Sequence, residues 1–168
     1  MSQTVRLILG FFLFLALQIF LFNHMVLWQV AVPFVFVLYL LMLPMSLSRP
    51  VHYILAFGMG LLVDLMSSYA AVGLHAFSAV LVVALRTPLV GFLSSSNYRG
   101  AEEVKLNQQN SIWLLTYLLP LIFIYQVAYF LLEDFSFIRI WYNLWKALLS
   151  SVYTFAVSYL IAYVFYKR

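Results

Sequence analysis

The sequence predicts an all-α polytopic membrane protein, a compact bundle of about six transmembrane helices in one integral domain spanning residues 1–168. Two observations carry that expectation. Apolar residues make up 66% of the chain and charged residues only 8%, whereas ordinary soluble domains are roughly 25% charged. Between Val5 and Tyr166 the apolar residues fall into about six blocks, separated by short polar or Pro/Gly-marked turns. Backbone inside a bilayer must satisfy its own hydrogen bonds, which leaves helices or closed barrels. Barrel strands alternate apolar and polar residues in segments of about ten, and runs such as LILGFFLFLALQIFLF do not alternate.

The first helix is expected over 5–22, retained rather than removed as a signal peptide, because no small-residue cleavage site follows it. The second is expected over 27–47 and the third over 51–66. Sixteen residues rise only about 24 Å, so the third sits deep or thins its surroundings. The fourth is expected over 73–93, although Pro88 disfavours helical geometry in its predecessor. A stop near Arg86-Thr87-Pro88 would leave five spans. The fifth and sixth helices are expected over 112–132 and 140–166.

An even number of spans puts both termini on one side. Placing them in the cytoplasm gives that side Arg6, Arg49, Arg86, Arg99, Lys105, Lys167 and Arg168, against Arg139 and Lys146 outside. Cytoplasmic loops carry the Lys/Arg excess, so the sequence predicts cytoplasmic termini. Trp28, Trp141 and Trp145 fall near the outer boundary and Trp113 near the inner one. The one long hydrophilic stretch, 94–111, is then a cytoplasmic loop. It carries no nucleotide-binding glycine pattern and no metal-ligand spacing. It is either a solvated connector or a docking surface built on Arg99, Glu102, Glu103 and Lys105, with Arg49 at the neighbouring boundary.

Polar residues inside apolar spans are the informative ones, because an acid at mid-bilayer costs about 3 kcal/mol on insertion scales. His52, Ala56, Gly60 and Asp64 recur every four residues, a stripe of small and polar side chains expected to face protein rather than lipid. Asp64 caps the Ser67-Ser68 turn or pairs inside the bundle. His75 and Arg86 lie about 20° apart in azimuth on the fourth helix, and His75 falls near the depth of Asp64, within reach of a hydrogen bond. Arg86 is expected to snorkel to the cytoplasmic head groups. Lys146, Ser150, Thr154 and Ser158 form a second four-residue stripe, Pro120 suggests a kink in the fifth helix beside Gln126, and the abundant aromatic residues read as lipid-facing or packing bulk.

Catalysis has little to stand on. There are no cysteines, which excludes disulfides and thiol chemistry. The three histidines are scattered over three elements, unlike a zinc site. His75 with Ser78 is a chance-level pair. The chain therefore reads as non-enzymatic, with no cofactor and no metal.

The span Arg49-Pro50, then Gly58-Met59-Gly60-Leu61-Leu62-Val63-Asp64, then Gly73-Leu74-His75-Ala76-Phe77, then Leu85-Arg86 resembles the bacterial rod shape-determining protein MreD family. The likeness lies in the RP turn, the glycine-rich helix ending in an acid, and the Gly-Leu start of an arginine-ended helix. It covers about a quarter of the chain. It implies a non-enzymatic scaffold of cell-wall elongation in the bacterial cytoplasmic (inner) membrane, working through the bitopic protein MreC. Indirect partners would be the MreB filament, RodA and a class B penicillin-binding protein. The family also looks like the six-helix S components of energy-coupling-factor transporters. That likeness sets the competing expectation, a small-solute-binding subunit or carrier with an outward chamber near His24, Asp64 and His75. His52, Ala56, Gly58, Gly60, Asp64, Gly73, His75 and Arg86 are the packing or partner-contact candidates.

Overall fold

The computed structural model describes residues 2–28, 30–67, 71–93, 111–134 and 137–166. They form an all-α bundle: α1 (Gln3–Phe20), α2 (Phe36–Leu41), α3 (Arg49–Met66), α4 (Leu74–Leu93), α5 (Ser111–Asp134) and α6 (Ile140–Tyr166). Five of these are long and apolar enough to cross a membrane; α2 is not. The molecule is a multi-pass membrane protein.

Local chemistry explains two of the helix starts. Ser2 caps α1 by accepting the Val5 amide at 3.4 Å. Ser48 precedes α3 in extended conformation, and Pro50 occupies its first turn, where a missing N–H costs nothing. Pro88 and Pro120 lie inside continuous helices. The fourth helix therefore does not stop at Arg86-Thr87-Pro88. A proline removes one backbone bond there, and apolar packing on both sides keeps the axis going.

The expected second helix is the principal correction. Where 27–47 should have been helical, only Phe36–Leu41 is. Pro33 and Pro44 bracket this piece and push Val32 and Leu43 away from helical geometry. Upstream, the amide and carbonyl of Leu27 both pair with Ala31, at 2.8 and 2.9 Å, closing a tight turn with Trp28 at positive φ.

This segment nevertheless runs the full depth of the bundle. Gln3 reaches Ser46 at 3.5 Å, and Asn23 reaches Ser67 at 2.8 Å. The first residues of α1 and α3 therefore share one end, their last residues share the other, and the two helices run parallel. The chain between them must return. From Gln18 back to Gln3, α1 descends about 22 Å at 1.5 Å per residue. The returning segment descends with it: Pro33 and Phe36 bond Gln18, and Tyr39 bonds the Leu7 carbonyl. It is the most enclosed part of the protein, with Val35 through Leu38 and Leu40, Leu41 and Leu43 all at 1% exposure or less. Around it α3 packs on α4, α4 on α5 and α5 on α6. Six traverses remain, one of them mostly not a helix.

Candidate functional site

An irregular strand of backbone at membrane depth is tolerated only where protein surrounds it and satisfies its polar groups, each of which costs several kcal/mol if left bare. The polar side chains of the helices meet that demand. Gln18 of α1 donates to the Pro33 carbonyl at 3.1 Å and accepts the Phe36 amide at 3.3 Å. Ser150 and Thr154 of α6 accept the amides of Val32 and Phe34 at 3.3 and 3.1 Å. Tyr117 of α5 donates to the Leu41 carbonyl at 2.8 Å. Arg86 of α4 donates from Nε to the Tyr117 hydroxyl at 2.8 Å and from its terminal nitrogens to the carbonyls of Leu40 and Leu43.

Arg86 thus does not snorkel. It is 1% exposed, because the carbonyls near the end of α2 offer acceptors closer than the head groups. The four-residue stripe on α6 splits in the same way. Ser150, Thr154 and Ser158 are buried, and Lys146 sits nearer the surface, paired with Glu133 at 2.9 Å.

Asp64 serves the start of α4, and Ser68 of the expected Ser67-Ser68 cap lies outside the described residues. One carboxylate oxygen accepts the amides of Gly73 and Ala76 at 3.0 and 3.2 Å, and the other accepts the His75 amide at 3.1 Å. A helix start leaves its first N–H groups unpaired. The residue preceding α4 is Gly73, which has no side chain to cap with and sits at φ 108°. Asp64 supplies the missing cap from the neighbouring helix, and its charge suits the positive end of the α4 dipole. The contact with His75 is therefore through the backbone, and the imidazole turns elsewhere.

The His75 ring pairs through Nδ1 with the Tyr125 hydroxyl and lies flat against Tyr129, with centroids 4.3 Å apart at 17°. Phe34 meets it edge-on at 4.7 Å. Tyr117, Tyr125 and Tyr129 are buried rather than lipid-facing. Their spacings of eight and four residues put them on one helix face, the signal that sets them apart from the other aromatics.

At this end of the bundle a cavity of about 260 Å³ opens, with Phe34, Tyr129 and Phe130 on its apolar wall and His75, Glu133 and Lys146 on its polar one. Lys146 Nζ also stands 4.2 Å from the Phe130 ring centre.

The structure brings His52, Ala56, Gly60 and Asp64 together on the buried face of α3, and His75 and Arg86 on the buried face of α4. A Cβ on Gly60 would lie 2.6 Å from the Ala76 backbone, so the two helices touch main chain to main chain there. Gly58 and Gly73 have nothing within 4 Å of an added Cβ, and Gly58 is only half-buried. Arg49 is exposed at the start of α3. Arg99, Glu102, Glu103 and Lys105 lie outside the described residues. His24 closes the short 3-10 turn after α1 and does not line the cavity. Among the described residues, no three His, Cys, Asp or Glu side chains gather as metal ligands would.

Comparison of the chain with protein-family models, with curated proteins and with solved structures finds no match.

Proposed function

We propose that this chain is a non-enzymatic membrane scaffold of the bacterial cell-wall elongation machinery, of the MreD type, with both termini in the cytoplasm. Its direct partner is an MreC-like bitopic protein, and through it the MreB filament, RodA and a class B penicillin-binding protein. Support comes first from the residues of the resemblance. The observation that carries most weight is how the intramembrane polar groups are used: Gln18, Asp64, Arg86, Tyr117, Ser150 and Thr154 bond backbone of the chain itself. Their chemistry holds a shape. What the bundle offers outward is apolar helix surface, and a partner helix is recognised there by packing.

Gly60 and Asp64 are consumed inside the bundle, so the docking face on α3 is the opposite one. Ile54, Phe57 and Leu65 are 69%, 53% and 62% exposed, with Gly58 between them. Gly58→Leu is expected to leave the protein folded and to reduce co-purification of the MreC-like partner about tenfold, the loss of close packing at one helix crossing. Undiminished co-purification by Gly58→Leu, Ile54→Ala and Phe57→Ala alike would overturn the assignment.

The cavity beside His75 favours a second reading, a small-solute-binding subunit. Its volume of about 260 Å³ falls below the roughly 300–1,000 Å³ of sites for drug-sized ligands, which is why scaffolding ranks first. A small molecule retained by the purified protein in native mass spectrometry, and lost in Tyr129→Ala, would reverse that ranking.

A further inference from the structure

A second pocket, of about 220 Å³, opens at the opposite end, where α3 begins and α4 carries Arg86. Arg49, His52, Arg86 and Thr87 contribute its polar wall, and no acidic side chain lines it among the described residues. We propose that this pocket binds a phosphate group that keeps an ionisable P–OH, either the phosphomonoester head group of a lipid or free phosphate.

Among the described residues, Arg86 is a buried cation without a counter-ion. The one ion pair among the described residues is Lys146–Glu133, at the other end of the bundle. A charge taken out of water is costly unless it is paired. Arg86 spends three of its bonds on Tyr117 and two carbonyls, and a guanidinium has five N–H groups. Both its charge and its remaining donors suit an anion at the pocket wall. Arg49 adds a second guanidinium, exposed at the first residue of α3. Helix starts favour anions independently.

His52 selects among anions. It is 8% exposed, its Nδ1 lies 3.1 Å from the Ser48 carbonyl, and its Nε2 is buried with no hydrogen-bond partner among the described residues. A carbonyl only accepts, so Nδ1 holds the hydrogen and Nε2 of the neutral ring carries a lone pair. A phosphomonoester near neutral pH exists partly as its singly protonated form. That form brings one P–OH to donate to Nε2 and charged oxygens for the two guanidiniums. A phosphodiester has no such proton and leaves Nε2 unpaired. Met45, Leu47 and Val83, with Tyr53 beside them, make up the rest of the wall, and its apolar part suits an acyl chain emerging from the head group.

The full chain in phosphatidylcholine nanodiscs should bind added phosphatidic acid saturably and about tenfold more tightly than phosphatidylglycerol. Arg49→Gln and His52→Leu should each weaken that binding about tenfold, the usual effect of removing one charged or buried partner. Displacement of the lipid by millimolar inorganic phosphate would identify free phosphate as a sufficient ligand; resistance to it would identify the lipid. Both results support the site. Equal binding of the two lipids overturns the proposal. So does unchanged binding by Arg49→Gln, a substitution at an exposed position.

Discussion

Asp64 shows how much one side chain can be asked to hold. Its two oxygens serve three amides at the start of α4, and the His75 and Ala76 bonds are buried. Asp64→Ala leaves those donors without a partner, at about 1–3 kcal/mol for each buried one. The expected outcome is a clear fall in the thermal unfolding midpoint of the detergent-solubilised protein; Asp64→Asn, which keeps one acceptor oxygen, should fall less. Equal midpoints for Asp64→Ala and the parent chain would remove the cap from the account. Gly60 and Gly58 give a paired contrast on the same helix. Gly60→Ala drives a methyl group into the Ala76 backbone and is expected to cost about 1–3 kcal/mol through overpacking. Gly58→Ala meets nothing and should leave the midpoint in place. The four-residue stripe of α3 was legible in the sequence as a buried face. The donors served by Asp64 were not, because they arise from the backbone of another helix and from a glycine with no side chain to offer.

At the scale of the element, the second traverse depends on side chains far away in sequence. Thr154 accepts the Phe34 amide and also the Gln126 side chain. Thr154→Val keeps the shape and removes the acceptor. Hydrogen bonds of this kind in membranes average about 0.6 kcal/mol, with a maximum near 1.7, so the bundle should survive. The Phe34 amide should exchange with deuterium measurably faster, and an unchanged exchange rate would contradict its bond to Thr154. Tyr117→Phe strips both the Leu41 carbonyl and Arg86 Nε of a partner, and should destabilise more than Thr154→Val does in the same unfolding assay.

The failure of helical expectation over 27–47 has a readable cause. Hydropathy reports only that a segment is apolar, and this one is apolar because it is enclosed by protein. Pro33, Pro44 and the β-branched residues Val30, Val32, Val35 and Val37 disfavour a continuous helix, a signal that hydropathy alone passes over. The polar residues Gln18, Ser150 and Thr154 were visible as anomalies in apolar spans. Their common target was not, since it is main chain, and main chain has no sequence signature.

For the whole molecule, alternation of direction is the property on which everything else depends. A chain with five spanning helices and no return between α1 and α3 would put its termini on opposite sides, and the excess of basic residues would no longer gather at one end. With the return in place, Arg6 and Arg49 share an end, and Glu133 and Lys146 occupy the other. The six-block pattern predicts an even number of crossings, and five of the six blocks are helices long and apolar enough to span. The chain has no native cysteine, so single cysteines can map the sides without interference. Membrane-impermeant thiol labelling of Gln3→Cys, Met25→Cys, Ser46→Cys and Ile138→Cys in sealed vesicles tests the traverse most directly. Gln3→Cys and Ser46→Cys should label from one side, and Met25→Cys and Ile138→Cys from the other. Labelling of Ser46→Cys from the same side as Met25→Cys would mean that the segment turns back before crossing, and would contradict the account.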